Sequence, residues 1–194
     1  MKEKLKSYLQ YQLHFSSLDA DKIIYCIEGV LSELSKLLII FAIALPLGYA
    51  DEIFIATFVL LSIRCNCGGL HFSHYLSCFV FTASFYVAAI FLSTCPLPNS
   101  IFAWGLLVSL GAFALIGPIT SSMRPRLTPP EVQKYLHRVI FLLLLYSSFI
   151  ILLKTLPYRN LIYWVIVLQI FQLLCAKIAR KGEIYEKVYD TKDL

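Results

Sequence analysis

The stretch Arg64-Cys-Asn-Cys-Gly-Gly-Leu-His71-Phe-Ser-His74-Tyr-Leu-Ser-Cys78 crowds three thiols, two imidazoles, a guanidinium and a glycine pair between two apolar segments. A thiol beside an imidazole is the working pair of a cysteine nucleophile and its base. Cys78 falls in the first turn or two of the apolar segment that follows, and a helix N-terminus stabilises a thiolate. Gly68-Gly69 frees the backbone to aim N–H groups at a developing oxyanion. Arg64 adds a fixed positive charge. Two partners for the thiol remain open. If residues 71–78 form one straight helix, His74 and Cys78 are i,i+4 neighbours, whereas His71 lies ~10.5 Å away along the axis. His71 becomes the base only if the helix begins after it and the glycine turn folds back. A second chemistry uses the same atoms: Cys65, Cys67, His71 and His74 are zinc ligand types, although their spacing departs from the usual C-x2-4-C and H-x3-5-H. A third assigns Cys65 and Cys67 to small buried apolar positions.

The elements that position this stretch are membrane helices. The chain is 59% hydrophobic and only 15% charged, with a mean hydropathy of +0.74. A soluble domain carries roughly 45–50% apolar and about 25% charged residues. The apolar residues run continuously, without the alternation of a membrane β-barrel. The expected fold is therefore all-α: a polytopic integral membrane protein of about six transmembrane helices. The apolar segments are Glu33–Ala50, Glu52–Ile63, Tyr75–Cys95, Ser100–Ile119, Val139–Lys154 and Asn160–Ala176. The second is short. A dozen residues reach ~18 Å of a ~30 Å hydrocarbon core, so either it thins the bilayer or the spanning path continues into the motif. No uninterrupted apolar run of a cleavable signal peptide precedes these segments.

Residues 1–32 read as an N-terminal amphipathic interfacial helix, with Leu5, Leu9 and Leu13 at helical spacing. Residues 33–177 form the transmembrane bundle of a single membrane domain, and 178–194 a tail. With six spans, 15 of the 17 Lys and Arg residues fall on one side, leaving only Lys154 and Arg159 opposite. By the positive-inside rule both termini and the Arg64–Cys78 motif face the cytoplasm. The long connection Thr120–His137 carries Pro125, Pro129 and Pro130, the last two placed to open the next helix. Gly105, Gly111 and Gly117 recur every six residues, a weak sign of close helix packing. No Asp or Glu occurs between Glu52 and Glu131, so any third catalytic carboxylate comes from elsewhere, with Glu28 and Glu33 the candidates.

The pattern Arg64-x3-Gly68-Gly69-x-His71-x6-Cys78 resembles the signature of the accessory gene regulator protein B (AgrB) family. Tyr25-x2-Glu28 with the run to Lys36, and Gly117-Pro118-Ile119 followed by Arg124-Pro125 and Glu131, are similar to other blocks of that family. The resemblance implies a bacterial cell-membrane cysteine endopeptidase with His71 as base and Cys78 as nucleophile, supported by Arg64, Gly68 and Gly69. It implies a short quorum-sensing propeptide as substrate, cleaved ahead of an acidic C-terminal tail through a thioester and closed to a thiolactone or lactone. Arg124, Arg126, Lys134 and Glu28 are the substrate-binding candidates, with the basic ones suited to an acidic tail. No metal, cofactor or nucleic acid is called for; the lipid bilayer is a partner, and a small bundle is compatible with a homodimer. The alternatives are a metal-binding membrane protein and a small transporter, for which Gln169 and Gln172 are the polar residues within the spans.

Overall fold

The structure is a computed structural model that describes residues 2–70, 74–119, 129–153, 155 and 157–190. His71, Arg124 and Arg126, with most of the Thr120–His137 connection, lie outside the described residues. Seven helices follow in order: α1 (Lys2–Tyr11), α2 (Ser17–Leu47), α3 (Ala50–Cys67), α4 (Tyr75–Ser93), α5 (Asn99–Ile116), α6 (Pro129–Leu152) and α7 (Arg159–Asp190). They pack as two units, Met1–Gly48 and Tyr49–Leu194.

In the first unit α1 lies on the start of α2. Leu9, Ala20 and Ile24 form a small core with Leu5 and Ile23 against it, and Lys6 pairs with Asp21 at 2.6 Å. The expected N-terminal helix is thus divided. Gln12–Ser16 break it, His14 takes a left-handed backbone (φ 56°), and the Ser16 hydroxyl caps α2 by accepting from the Asp19 N–H at 3.1 Å. Part of the apolar stripe read from the sequence covers α2, since Leu5 and Leu9 face it, while Leu13 stays exposed.

The second unit is a bundle built around α7, which packs against α3, α4, α5 and α6. Half of its 21-residue apolar stretch is buried, against 17–28% for the other candidate spans, which makes it the central helix. Among the described residues five helices are long and apolar enough to cross a membrane: Ile27–Leu47, Tyr75–Ser93, Asn99–Ile116, Pro130–Leu152 and Arg159–Ala179. The sixth expected segment is α3. It carries Asp51, Glu52 and Arg64, and it does not stop at Ile63 but continues through Cys67. Its 18 residues reach ~27 Å at 1.5 Å per residue, so the helical path extends into the motif. Outward faces are apolar throughout, with Val87, Phe91, Leu107, Leu115, Phe141, Leu152 and Phe171 all exposed. Water does not tolerate such a surface on a monomer, whereas lipid solvates it.

Polar side chains close the helix ends of this bundle. At one end Arg159 donates from Nε to the Ile150 carbonyl (2.6 Å) and from Nη1 to Asn99 Oδ1 (3.0 Å), with its guanidinium 4.1 Å from the Phe102 ring centre. Asn160 Nδ2 donates there to the carbonyls of Ser93 (3.1 Å) and Cys95 (3.3 Å). At the other end Lys177 Nζ donates to the Leu115 and Ile116 carbonyls at 3.0 and 3.1 Å. These cations and amides satisfy carbonyls that have no partner within their own helix, and Lys177 meets the negative end of the α5 dipole. Between the ends, hydroxyl pairs tie α3 to α4 (Thr57–Tyr86, 2.8 Å) and to α6 (Ser62–Tyr146, 2.8 Å).

The glycines on α5 differ in kind. A Cβ at Gly105 would collide with the hydroxyl and ring of Tyr163, which is 4% exposed and packed edge-on against Phe102 and Trp164. A Cβ at Gly111 meets nothing within 4 Å. Gly105→Ala is expected to destabilise the bundle by about 1–3 kcal/mol through overpacking. Gly111→Ala is expected to be neutral or to stabilise by up to ~1 kcal/mol through helix propensity. Thermal unfolding of the two variants in the same detergent, compared with the parent, checks both.

Candidate functional site

The site grows from the end of α3. After Cys67 the chain leaves the helix at Gly68, whose backbone (φ 77°, ψ −155°) is a conformation that L side chains rarely adopt. Its N–H still bonds the Arg64 carbonyl at 2.8 Å. The Cys67 carbonyl accepts from the Ile119 N–H at 2.8 Å, which brings the segment after α5 against the turn. This contact is why residue 68 lacks a side chain: a Cβ there would run into the Ile119 carbonyl oxygen. The next carbonyls find partners on α7 and on α3 itself. Gly68 O accepts from Gln169 Nε2 of α7 at 3.1 Å, and Leu70 O accepts from Arg64 Nη2 at 3.0 Å. Arg64 thus folds back over the turn that follows its own helix, with its charge in the site. Among the described residues no carboxylate pairs with it.

Cys78 sits at the fourth position of α4, and its N–H donates to the His74 carbonyl at 3.2 Å. The thiol is 3% exposed, on the same buried face as Thr82, Phe85, Tyr86 and Ala89. Thr82 Oγ1 donates to the Cys78 carbonyl at 2.8 Å. The helix that carries Cys78 begins at Tyr75. His74 is the N-cap, with an extended backbone (φ −100°, ψ 132°), and its side chain is exposed whereas Cys78 is buried. The i,i+4 pairing of His74 with Cys78 depended on one straight helix over residues 71–78. The helix does begin after His71, at Tyr75, which is one of the two conditions for His71 as base; the other, a turn that folds His71 back, falls on residues outside those described.

The two extra cysteines separate. Cys67 is buried: its Sγ donates to Gly68 O at 3.4 Å and accepts from Gln169 Nε2 at 3.4 Å. Cys65, two residues earlier, is exposed, since residues two apart do not share a helix face. Among the described residues no three His, Cys, Asp or Glu side chains converge as a metal site would require. Lys134 is exposed on the second turn of α6, and Glu28 is exposed on α2 in the first unit. Arg64, Gly68 and Gly69 are therefore the expected site residues that the structure draws together.

Two residues outside the motif complete the turn, Gln169 and Gln172 of α7. A Cβ on Gly69 would lie 3.2 Å from Gln172 Nε2 and 3.3 Å from Arg64 Nε. The sequence signal for them was their polarity inside an apolar span. The partners of Gln169 lie about a hundred residues away, out of reach of any local pattern.

The glycines make separable predictions. Gly68→Ala combines a disfavoured backbone with a backbone collision, and is expected to cost at least about 2 kcal/mol. Gly69→Ala meets only side-chain atoms at 3.2–3.7 Å and is expected to fold, at a cost below about 1 kcal/mol. Membrane expression level and thermal unfolding of the two variants check the contrast.

The model of the family Accessory gene regulator B (AgrB) matches residues 2–173. No curated protein and no solved structure is detectably similar to the chain. The family match takes in six of the seven helices whole and α7 as far as Leu173, including the Arg64–Cys78 stretch and both glutamines. The chain belongs to the AgrB family, a family of multi-pass membrane proteins that process quorum-sensing propeptides.

Proposed function

We propose that this chain is a membrane-embedded cysteine endopeptidase that removes the C-terminal tail of a short propeptide and cyclises the remainder. The observation that carries the reading is Cys78: a buried thiol in the first turn of α4, following a glycine turn braced by Arg64, in a chain of the AgrB family. His71 takes the proton of Cys78 as the sulfur attacks the carbonyl at the junction of core and tail. The imidazolium returns that proton to the departing amine, and the tail leaves. The core is held as a thioester on Cys78. A thiol or hydroxyl of the substrate then attacks the thioester carbonyl and gives its proton to His71. The ring closes, Cys78 departs as thiolate, and His71 reprotonates it. Water competes for the same thioester and would yield a linear peptide. The burial of Cys78 supports a site that keeps it out.

The charge distribution supports the orientation inferred from the sequence. Arg64 and Lys177 lie at the end of the bundle that carries the Gly68 turn, and Asp51, Glu52 and Arg159 lie at the other. The first end faces the cytoplasm in this reading. Lys134, with Arg124 and Arg126, draws the acidic tail toward it.

Co-expression with a short propeptide of the expected form, an amphipathic helix, a core bearing Cys or Ser and an acidic tail, tests the roles, read as cleaved and cyclised product by mass spectrometry. Cys78→Ala and His71→Ala are each expected to lower cleavage by about a thousand-fold or more. His74→Ala is expected to stay within about tenfold of the parent, as for a residue outside the reacting pair. Cleavage that survives Cys78→Ala would exclude a thiol mechanism. Loss on changing His74 with none on changing His71 would move the base to His74.

A further inference from the structure

Gln169 and Gln172 lie three residues apart on one face of α7 and are 0% and 2% exposed. They differ in what they touch. Gln169 Nε2 is used by the turn, through Gly68 O and Cys67 Sγ. Neither Nε2 nor Oε1 of Gln172 has a hydrogen-bond partner among the described residues. A buried carboxamide without partners lowers stability, and an aliphatic side chain of the same size would be the stable choice. Gln172 is nevertheless aimed at something. Its Nε2 and the Nε of Arg64 lie 3.2 and 3.3 Å from the point where a Gly69 Cβ would sit. Two nitrogen donors, one of them charged, therefore pack against the bare face of Gly69, and Gln172 Oε1 supplies an acceptor beside them.

Helix registers bracket the level of Cys78 along α7, with Gln172 between the two brackets. Thr57 bonds Tyr86 across the antiparallel α3 and α4, so Cys78, eight residues before Tyr86, is level with Cys65. Gln169 reaches Cys67 from the parallel α7, which sets Cys65 level with Val167. Asn160 bonds the Ser93 carbonyl across the antiparallel α4 and α7, and counting back fifteen residues from Ser93 sets Cys78 level with Cys175. Gln172 falls between these two levels, within ~4.5–7.5 Å of either along the bundle.

We propose that Gln172 and Arg64 form a receptor for one peptide group of the substrate beside the scissile bond. Gln172 Nε2 and the Arg64 guanidinium donate to the substrate carbonyl oxygen, and Gln172 Oε1 accepts the substrate N–H. A carboxamide carries the same donor and acceptor as a peptide group, so the ligand class is extended polypeptide backbone, recognised without regard to side chain. Because Gly69 carries no side chain, both donors can close on the turn there. The inference rests on the reading of Cys78 as the reacting thiol.

The test measures binding apart from chemistry. The probe is a full-length propeptide that the parent chain cleaves, labelled at its N-terminus, titrated against Cys78→Ala protein in lipid nanodiscs. Adding Gln172→Leu is expected to weaken binding about tenfold or more while the melting temperature stays level or rises. In the chain that keeps Cys78, Gln172→Leu is expected to raise KM about tenfold with kcat within about threefold. Gln169→Leu is the contrast: it removes a bond the turn uses and is expected to lower the melting temperature. Unchanged propeptide affinity in Gln172→Leu overturns the proposal. So does a fall in melting temperature that parallels the affinity loss, which would make Gln172 a packing residue. Cleavage by Cys78→Ala would overturn the thiol mechanism instead, and the binding comparison would still decide the role of Gln172.

Discussion

Backbone that leaves a helix inside an apolar bundle must find protein partners for its peptide groups, because lipid offers none. The Cys67–Leu70 segment meets that constraint from three directions. Gly68 N–H stays with Arg64 O on α3, Cys67 O takes the Ile119 N–H beyond α5, and Gly68 O takes Gln169 from α7. Leu70 O takes the Arg64 guanidinium. No one of these donors holds the turn alone, so the turn exists only once α3, α5 and α7 are packed together. The site accordingly inherits the rigidity of the bundle, and its geometry is as well defined as the helix packing beneath it.

The same constraint sorts the polar residues of the second unit. Arg159, Asn160 and Lys177 are consumed by carbonyls at the helix ends. Thr57, Ser62, Tyr86 and Tyr146 are consumed in pairs between helices. Gln169 is consumed by the turn. Each of these is what a stable bundle needs. Arg64 and Gln172 exceed that need: one brings a charge with no carboxylate against it among the described residues, the other a carboxamide with no partner there. Where an apolar interior keeps polarity that folding does not require, binding is the natural reason for keeping it.

Much of this was legible in the sequence, because uninterrupted apolar runs and proline positions are local signals. The starts of α4 at Tyr75 and of α6 at Pro129–Pro130 agree with those signals. The end of α3 was not legible. Apolarity stops at Ile63, yet nothing in Arg64-Cys-Asn-Cys breaks a helix, and only Gly68 does. Nor could spacing choose between one helix over 71–78 and a helix capped by His74, since both obey local rules. Gly105 and Gly111 look alike in sequence and differ only because Tyr163 crosses one of them. Gln169 and Gln172 carried a signal, polarity within a span, but no hint of its object. That object is a turn on another helix, and long-range pairing leaves no periodic trace.

The absence of acidic residues between Glu52 and Glu131 takes on meaning beside this geometry. On the proposed mechanism negative charge develops first on the Cys78 sulfur and then on the substrate carbonyl oxygen. A carboxylate close by would oppose both. The groups gathered here act in the other direction: the N-terminal turn of α4 under Cys78, and the guanidinium of Arg64 over the glycine turn. In an interior of low dielectric such fixed positive ends act more strongly than they would in water. They also act without reorganising as the reaction proceeds. On that mechanism a third, acidic member would oppose both developing charges, whereas positive ends placed there oppose neither.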